Sequence, residues 1–194
     1  MQYIKWILLY PISIAFSIFA FFTVPFVCLF TVKKPTKDNV KRFNKKLITI
    51  NRDYLLPIFS WWATFDNAAD EWWYGMYNAN TKFAKNWTQD DYDKSWIKRY
   101  ICRVFWHSRN IAYGFNLNVL GFTPIDATVV TTQLRQFKVT TWYSRYGFAK
   151  AFQVQGNLFI TKSYYFNINI GWKAHKQVQK LMFAGRLLQF PRKA

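Results

Sequence analysis

Acidic residues are scarce in this chain: among its 194 residues, nine Asp and Glu stand against 27 Lys and Arg. The formal net charge is +18, and basic residues occur in every segment after the first 32 positions. A surplus of this size is typical of proteins that bind anionic partners. The composition therefore directs attention to two classes of partner, anionic lipid and nucleic acid.

Cysteine is also nearly absent. Cys28 and Cys102 are the two present, and they lie in a predicted membrane segment and on a predicted helix, so we do not expect them to pair. The lack of a disulfide framework fits a reducing compartment. The sequence also lacks the G-x-S-x-G nucleophile motif and the G-x-x-x-x-G-K-[ST] phosphate loop. These absences exclude the enzyme classes that such motifs mark.

One long stretch, residues 6–32, carries no charged side chain, and Lys5 and Lys33 close it. About 20 apolar residues at about 1.5 Å rise cross a hydrocarbon core of about 30 Å. The stretch therefore predicts a membrane anchor, spanning residues 6–30. A cleaved signal peptide fits less well, because its apolar region is shorter and ends in small residues. A buried soluble helix fits less well too, because phenylalanines cover every face: Phe16, Phe19, Phe21, Phe22, Phe26 and Phe30.

Basic residues follow the anchor and hardly precede it. Positive charge marks the cytoplasmic side of a membrane segment. We therefore predict a single-pass protein with a short N-terminus outside and everything from Lys33 onward in the cytoplasm. Basic side chains beside the anchor are expected to lie against anionic headgroups, each worth about 1 kcal/mol. The predicted membrane-contact residues are Lys33, Lys34, Lys37, Lys41, Arg42, Lys45, Lys46, Trp61 and Trp62.

Length and patterning predict an α+β protein in three parts. Residues 1–32 form the transmembrane anchor, residues 33–65 form a basic juxtamembrane and interfacial segment, and residues 66–194 form one cytoplasmic domain. The domain is expected to be a small antiparallel β-meander packed with an amphipathic helix.

The juxtamembrane part contains two predicted interfacial segments. Residues 36–50 have apolar side chains at helical spacing among many basic ones, which predicts a basic helix lying along the membrane surface. Residues 54–65 are largely apolar but too few to span a bilayer, and Pro57 interrupts them. We expect this second segment to dip into the headgroup region, with packing inside the cytoplasmic domain as the alternative.

The clearest helix of the domain is predicted over residues 88–110. Thr88 and Asp91 have the spacing of a capping box, and acidic residues crowd the first turn, where the helix dipole favours them. We expect the apolar side to pack in the core and the basic side to face away from it. The apolar side comprises Trp96, Ile97, Tyr100, Ile101, Val104 and Phe105, and the basic side comprises Lys94, Lys98, Arg99 and Arg103.

From Ala127 onward the pattern changes to strands. Residues 137–143 and 164–172 alternate between the two faces of a strand, and the Gln-Gly-Asn at 155–157 is a hairpin signal. Short connections without helices predict an antiparallel meander. Residues 173–190 are compatible with a short helix or with a last strand, and we favour the strand.

The most polar cluster of the chain lies in residues 66–71. Three carboxylates within six residues could bind a divalent cation or hold an acid of raised pKa. Their spacing matches neither an EF-hand loop nor an H-E-x-x-H site. Acids here also suit a helix N-terminus, with Asp66 or Asn67 capping a helix that continues through Tyr77. Capping or a structural ion pair is the favoured interpretation.

A loop predicted over residues 106–116 contains His107, whose side chain titrates near neutral pH. Since no second histidine is close in sequence, local packing of this histidine is the more common outcome. The candidate catalytic residues are Asp66, Asp70 and His107, and the candidate binding residues are Asp66, Asn67, Asp70, Arg109, Asn110 and Tyr113. We predict no metal site and no cofactor.

Four features together resemble one group of proteins. They are the N-terminal anchor, FDNAAD beginning at Phe65, WHSRNIAYGF beginning at Trp106, and NIGWK beginning at Asn169. The combination is similar to a family of small membrane-anchored proteins of tailed bacteriophages and prophages, which has no assigned activity. The resemblance implies a phage source and an infected-cell setting, and it implies no reaction.

The sequence therefore predicts a membrane-anchored phage accessory protein in the host inner membrane, with a basic cytoplasmic domain acting at the inner leaflet as an interaction module. Anionic lipid headgroups and a host or phage membrane protein are the expected partners. One alternative is a membrane-bound enzyme acting on an anionic lipid or headgroup through residues 66–71 and 106–116. Nucleic-acid binding is a further alternative, which the charge and aromatic content fit but no recognised module supports.

Overall fold

The computed structural model divides the chain into two compact units. Unit 1 combines Met1–Ser17 with Phe115–Ala194, and unit 2 is Ile18–Gly114. The two units are defined by contacts between residues. They do not test the domain boundaries predicted after residues 32 and 65, which stay predictions. The structure describes residues 2–39, 47–74, 87–121, 128–134, 137–144, 147–157, 164–175, 180–186 and 192–193.

Helix α1, Gln2–Val27, begins in unit 1 and ends in unit 2. Among the described residues it is the one helix long and apolar enough to cross a membrane, over Ile4–Val27. The predicted apolar N-terminal helix is thereby confirmed. Pro11 and Pro25 each remove a backbone donor, yet the helix continues through both.

The side chains of α1 divide into two faces with helical spacing. The face that we call the inner face is buried or half-buried and has mostly small, hydroxyl-bearing or amphipathic side chains: Trp6, Tyr10, Ser13, Ser17, Ala20, Val24 and Val27. The opposite face, called the outer face, consists of exposed large apolar side chains: Ile4, Ile7, Leu8, Ile12, Ile14, Ile18, Phe19, Phe21, Phe22 and Phe26. Size and hydrogen-bonding capacity, and not charge, separate the two faces.

Unit 1 contains a six-stranded antiparallel sheet in which five strands lie side by side in chain order. This order confirms the predicted meander, and a strand replaces the alternative helix in residues 173–190. The strands are β3 (Thr128–Leu134), β4 (Phe137–Ser144), β5 (Gly147–Asn157), β6 (Tyr164–His175), β7 (Lys180–Arg186) and β8 (Arg192–Lys193), of which β8 pairs with β6.

The packing of α1 in unit 1 begins near its N-terminus. Trp172 on β6 and Phe183 on β7 are opposite each other in the antiparallel register and both are buried. The Trp6 ring stacks on Phe183 with centroids 5.6 Å apart, and its indole N–H donates to the Ala184 carbonyl at 3.1 Å. An indole that both packs and donates in this way gives a specific contact in addition to apolar burial.

Helix α5, Tyr113–Asn118, packs against the middle of α1. Phe115 and Phe16 stack with ring centroids 4.0 Å apart. The Ser13 hydroxyl donates to Oδ1 of Asn116 at 2.8 Å. Ser13 is buried, so this hydrogen bond satisfies a polar group that would be costly to bury alone.

Unit 2 is built from a two-stranded hairpin and short helices. Strand β1 is Thr31–Asn39 and β2 is Leu47–Leu55, paired antiparallel from Thr31 opposite Leu55 to Asn39 opposite Leu47. After the hairpin come a 3₁₀ turn (Pro57–Phe59), α2 (Glu71–Tyr74), α3 (Gln89–Lys94) and α4 (Trp96–Arg109).

Two apolar clusters form the core of unit 2. In the first, Trp73 and Tyr92 stack with centroids 4.7 Å apart, beside buried Cys102. The second cluster surrounds the C-terminal end of α1 and contains Val27, Leu55, Ala63 and Ala69. The last turn of the apolar helix is therefore part of the core of unit 2.

The basic helix predicted over residues 36–50 is wrong. The described residues of this segment lie in β1 and β2, and residues 40–46 fall outside the description. Pro35 and the β-branched residues around it favour an extended chain over a helix. In a two-stranded hairpin both strands are edges, so a proline is tolerated there.

The helix predicted over residues 88–110 is two helices, with a break at Ser95. Thr88 and Asp91 form the predicted capping box at the start of α3. Ser95 has extended dihedral angles and its hydroxyl accepts from the backbone N–H of Lys98, so it starts α4 as a new N-cap.

The sides assigned to α4 are also wrong in part. Trp96, Ile97 and Phe105, predicted to pack in the core, are exposed, with relative exposures of 50%, 62% and 45%. Arg103, predicted on the basic outer side, is only 2% exposed. The helix therefore buries the Arg103 guanidinium and exposes apolar side chains. The partners of Arg103 belong to segments distant in sequence, so the pattern of the helix itself does not reveal them.

Two smaller predictions are also corrected. The turn expected at residues 155–157 is wrong, because β5 continues through Asn157, which lies opposite Tyr165 on β6. The two strands do pair antiparallel, as a hairpin requires. The helix expected from Asp66 or Asn67 through Tyr77 is described only as Glu71–Tyr74, and residues 75–86 lie outside the description. Ala68 forms an isolated bridge with Tyr54, and the residues before Glu71 are turns and bends.

Gly114 and Ala112 provide a matched test of this packing. A Cβ on Gly114 would lie 1.8 Å from the Ser60 carbonyl oxygen, so Gly114→Ala should lower the free energy of unfolding by about 3 kcal/mol or more. Ala112 is buried at a φ of 54°. Ala112→Gly relieves about 1–2 kcal/mol of backbone strain and loses about 0.8 kcal/mol of methyl burial, so it should be close to neutral.

Thermal unfolding of both variants in mild detergent measures the difference. Equal melting temperatures for the two would show that the Ser60 carbonyl does not approach Gly114 this closely.

Candidate functional site

Strand β2 and the segment after the 3₁₀ turn bring charged side chains together in unit 2. The Leu55 N–H donates to the Asn67 carbonyl at 2.9 Å, and the Ala69 N–H donates to the Asp53 carbonyl at 2.8 Å. Asn67 adopts a φ of 58°, a conformation that asparagine tolerates better than most residues. The segment thus runs beside β2 and places Asp70 next to the side chains at the end of the strand.

Arg52 joins two carboxylates at this point. Its Nε donates to Oδ1 of Asp70 at 3.0 Å, and its Nη2 donates to Glu71. The other oxygen of Asp70, Oδ2, accepts from the backbone N–H of Asp53 at 2.7 Å. Asp70 is completely buried and Arg52 is 7% exposed, so this contact is an ion pair in the interior, and both carboxylate oxygens of Asp70 are used.

Arg103 is the second buried guanidinium of the site. Its Nη2 lies 3.2 Å from Oδ2 of Asp53, and Nε of Arg99 lies 3.6 Å from the same oxygen. Nη1 of Arg103 donates to the Cys28 carbonyl at 3.0 Å and to the Thr31 hydroxyl at 2.9 Å. Arg103 therefore connects β2, the end of α1 and the start of β1. We call Arg52, Asp53, Asp70, Glu71, Arg99 and Arg103 the ion cluster.

Burial dominates the electrostatics of Asp70. It raises the pKa of this carboxyl to about 7, against the opposing effects of Arg52 and of the Asp53 N–H, and the negative charge of Asp53 adds to the increase. The carboxylates also raise the pKa of Arg52, so that its guanidinium stays charged. Such clusters are costly to bury and depend on every partner being present.

His107 lies beside this region, in the last turn of α4. The side chain is fully buried, and its Nδ1 is 3.2 Å from the Trp62 carbonyl oxygen. Nδ1 therefore donates, and the neutral imidazole carries its proton there. Burial lowers the pKa of His107 to about 4. At neutral pH this histidine is an uncharged packing residue, as expected for a lone histidine at a helix end.

The remaining candidates of the polar cluster have local roles. Oδ1 of Asp66 accepts from the Thr64 hydroxyl at 2.8 Å and from the Ala68 N–H at 3.2 Å. This Asx turn sets the path that leads to Asp70. With Asp70 and Glu71 on Arg52, the structural ion pair expected from the sequence is present, and Asp66 stands apart from it.

The WHSRNIAYGF motif forms the end of α4 and the start of α5. The Asn110 N–H and side-chain amide both donate to the Trp106 carbonyl. The Arg109 guanidinium lies 6.0 Å from the Trp106 ring centre, within the range of a cation–π contact. Tyr113 is half-buried. The predicted loop is thus a tight helix-to-helix connection, whose glycine allows the Ser60 backbone to approach.

The described contacts of the 106–116 segment reach residues 60–63, which precede the polar cluster at 66–71. His107 contacts the Trp62 carbonyl, and Gly114 lies against Ser60 and Ala63. Asp66 lies close enough to His107 to influence its pKa. Among the described residues, no group of three or more His, Cys, Asp or Glu side chains is placed to hold a metal ion.

The predicted membrane-contact residues are described in part. Lys33, Lys34 and Lys37 are exposed on β1, and Trp61 is exposed. Trp62 packs on α1 instead, and its indole N–H donates to the Thr23 hydroxyl at 2.8 Å. The other members lie outside the described residues: Lys41, Arg42, Lys45 and Lys46.

The sequence did not identify four members of the ion cluster as site residues: Arg52, Asp53, Arg99 and Arg103. Arg52 and Asp53 follow an apolar run as an isolated charged pair, which carries no motif. Arg103 was assigned to the exposed side of its helix because lysines and arginines flank it. Only the pairing of β2 with residues 67–69 shows that these charges face carboxylates.

Fold and site together define an α+β protein with an N-terminal helix long and apolar enough to cross a membrane. The chain belongs to DUF7338, a family of unknown function, whose sequence profile matches residues 1–192. No curated protein and no solved structure matches the chain.

Replacement of Arg103 by methionine should destabilise unit 2 strongly. Arg103→Met leaves Asp53 buried without its closest charged partner, which typically costs about 3–5 kcal/mol. Lys98→Met is the matched control, since Lys98 is on the same helix and its ion pair with Asp91 is partly exposed. Melting temperatures in mild detergent compare the two. The double variant Arg103→Met/Asp53→Asn should recover part of the loss, and an unchanged melting temperature for Arg103→Met would contradict a stabilising cluster.

Asp70 and His107 should give opposite pH dependences of stability. Because the folded pKa of Asp70 is raised to about 7, its contribution is present below pH 4 and is lost as the pH rises to about 7. The lowered pKa of His107 gives a contribution that is present above pH 6.5 and is lost as the pH falls to about 4.

Melting temperatures between pH 4 and 7 separate the two groups. Asp70→Asn should leave a protein that loses stability on acidification more steeply than wild type. His107→Asn, which keeps a donor for the Trp62 carbonyl, should leave one that gains stability on acidification. Parallel curves for the three proteins would be inconsistent with these pKa shifts.

Proposed function

We propose that this chain is a membrane-attached accessory protein of a tailed bacteriophage or prophage, with a basic domain that acts at the inner leaflet of the host membrane as an interaction module. The outer face of α1 carries the proposal. Its ten large apolar side chains are exposed, and a contiguous apolar patch of that kind marks a membrane or protein interaction site.

The energetics favour lipid as the environment of this face. Burial of one such side chain is worth about 1.5–3 kcal/mol, so exposure of all ten to water would be costly. No charged residue interrupts residues 6–32. A membrane supplies apolar surroundings over the whole length of such a helix.

Positive charge supports attachment to anionic headgroups. Lys33, Lys34 and Lys37 are exposed immediately after α1, and the chain as a whole carries a formal charge of +18. Charges next to an inserted segment each add about 1 kcal/mol at an anionic surface. The sequence-based expectation that the domain after α1 is cytoplasmic belongs to this proposal.

The two alternatives from the sequence gain no specific support from the described residues. An enzyme acting on lipid headgroups would use Asp66, Asp70 and His107. The side chains of Asp70 and His107 are buried and engaged, and Oδ1 of the exposed Asp66 accepts hydrogen bonds within its own turn. Nucleic-acid binding rests on charge and aromatic content alone. The interaction module is therefore the function that the structure supports best.

Membrane fractionation tests the attachment. The full-length chain should pellet with membranes and be released by detergent. Leu8→Lys/Phe22→Lys should move it to the supernatant by at least tenfold, because a lysine within hydrocarbon costs about 2.5–3.5 kcal/mol. Val119→Lys, at an exposed apolar position outside α1, is the matched control and should still pellet.

A wild-type protein that stays in the supernatant would refute the proposal. Capture from detergent extracts of phage-infected cells then addresses the partner. A specific co-purifying membrane protein would support the interaction module, whereas an altered lipid profile without a partner would favour the enzyme.

A further inference from the structure

We infer that α1 does not cross the bilayer but lies in a single leaflet, with its outer face toward the acyl chains and its inner face against the protein's own residues. This inference rests on the membrane attachment proposed above and specifies its geometry. It replaces the transmembrane orientation expected from the sequence with insertion from one side.

Contacts of α1 within unit 1 reach its N-terminal end. Trp6 stacks on Phe183 and donates to the Ala184 carbonyl, both on β7. Lys5 lies 5.9 Å from the ring centre of Trp172 on β6. The beginning of the helix therefore lies against the C-terminal sheet.

The middle of α1 is also in contact with the rest of unit 1. Ser13 binds Asn116 and Phe16 stacks on Phe115, both on α5. Two residues further along the chain, Asn118 accepts a hydrogen bond from the Lys180 ammonium group at 3.0 Å. Asn118 is the last residue of α5, so an ammonium group is bound at the end of the short helix that packs on the middle of α1.

Contacts within unit 2 cover the other end of α1. The Trp62 indole donates to the Thr23 hydroxyl, and the Tyr100 hydroxyl donates to the Pro25 carbonyl at 2.9 Å. Arg103 donates to the Cys28 carbonyl. Polar side chains from two later segments therefore satisfy the end of the helix.

A transmembrane α1 is incompatible with these contacts. If residues 4–27 crossed the bilayer, α5 and the start of β7 would lie in hydrocarbon, where open sheet edges and irregular backbone are excluded. Lys180 near the bilayer centre would add about 2.5–3.5 kcal/mol or more. The polar residues that bind the inner face therefore require that this face stay outside the acyl region.

The path of the chain gives a second, independent reason. The C-terminal end of α1 is contacted by Trp62, Tyr100 and Arg103. Its N-terminal half is contacted by residues that come later in the chain: Phe115, Asn116, Phe183 and Ala184. A single crossing would place these two parts on opposite sides of the membrane. The chain would have to cross again near α5, which has only six residues and spans about 9 Å, and no second described helix is long and apolar enough.

Other apolar side chains adjoin the outer face at the end of α1. Phe59 lies against Phe30 with ring centroids 5.4 Å apart, and next to it in the 3₁₀ turn Ile58 is 78% exposed. Trp96 is exposed and stacks on Tyr100, whose hydroxyl binds Pro25. Exposed tryptophans beside an apolar helix are typical of the membrane interface.

We assign the outer face to a lipid leaflet with anionic headgroups. Large aliphatic and aromatic side chains cover it without interruption, and Lys5 and Lys33 lie exposed on either side of the apolar stretch. Lysines at both borders of an apolar surface suit a headgroup layer that surrounds the helix on one side. A second copy of the chain would bring the two sets of positive charges together.

Cysteine labelling tests the topology. Gln2→Cys and Lys33→Cys are each made in the full chain, expressed in bacterial cells and treated with a membrane-impermeant maleimide before and after permeabilisation. Wild type is the control, because Cys28 and Cys102 are both buried. Insertion from one side predicts the same result at both positions: background labelling in intact cells and full labelling after permeabilisation.

Each outcome decides between geometries. Labelling of position 2 but not position 33 in intact cells would establish a crossing and overturn the inference, while leaving the proposed membrane attachment intact. Labelling of both positions in intact cells would agree with insertion of α1 from one side of the membrane. It would show, however, that this side is the outer one, and so would overturn placement at the inner leaflet. Recovery of the protein in the supernatant would refute the attachment itself.

A fluorescence measurement tests the occupant of the outer face. Ile12→Cys carrying an NBD label should be quenched by brominated lipids in phosphatidylglycerol-containing vesicles, whereas the same label at Val119→Cys should not be. Absence of quenching at position 12 on vesicle-bound protein would mean that another protein surface covers the face, and it would overturn the lipid assignment.

Discussion

One buried guanidinium holds unit 2 together. Arg103 lies 3.2 Å from a carboxylate oxygen of Asp53 on β2, and it donates to the Cys28 carbonyl just after α1 and to the Thr31 hydroxyl at the start of β1. The C-terminal end of a helix carries unpaired carbonyls and partial negative charge, which a cation stabilises. Without this side chain, the end of the apolar helix, the hairpin and α4 would lose their common polar contact. The other charges of the ion cluster extend the same network.

The same contact explains why α4 turns apolar side chains outward. A helix that turns Arg99 and Arg103 toward Asp53 turns Ile97 and Phe105, on its opposite side, outward. A comparable compromise shapes α1, which directs hydroxyl and indole groups inward and its large aliphatic and aromatic groups outward. Both helices leave apolar surface on the protein, and a membrane leaflet is the environment that makes such surface favourable. The proposed attachment to lipid thus follows from how the interior is satisfied.

Local signals predicted local structure well. The charge-free stretch became α1, Thr88 and Asp91 formed their capping box, and alternation after residue 127 became a meander. Most of the failures involve partners distant in sequence, whereas the break of the predicted helix at Ser95 has a local cause. Residues 36–50 had a helical stripe, but backbone pairing between β1 and β2 outweighed it. For the candidate site, a structural ion pair was one of the two favoured interpretations of the carboxylates in residues 66–71. The sequence did not identify Arg52 as their partner, because a one-dimensional pattern does not show which strand lies beside which segment.

The sequence alone determined that the N-terminus is an apolar helix, that the chain is strongly basic and that its C-terminal part is antiparallel. These properties depend on composition and on the spacing of residues that are close together along the chain. Tertiary structure alone decided which face of α1 is covered, which arginines are buried and why Gly114 must lack a side chain. Each of these depends on groups separated by tens of residues, whose mutual approach is set by packing and by the need to pair every buried charge.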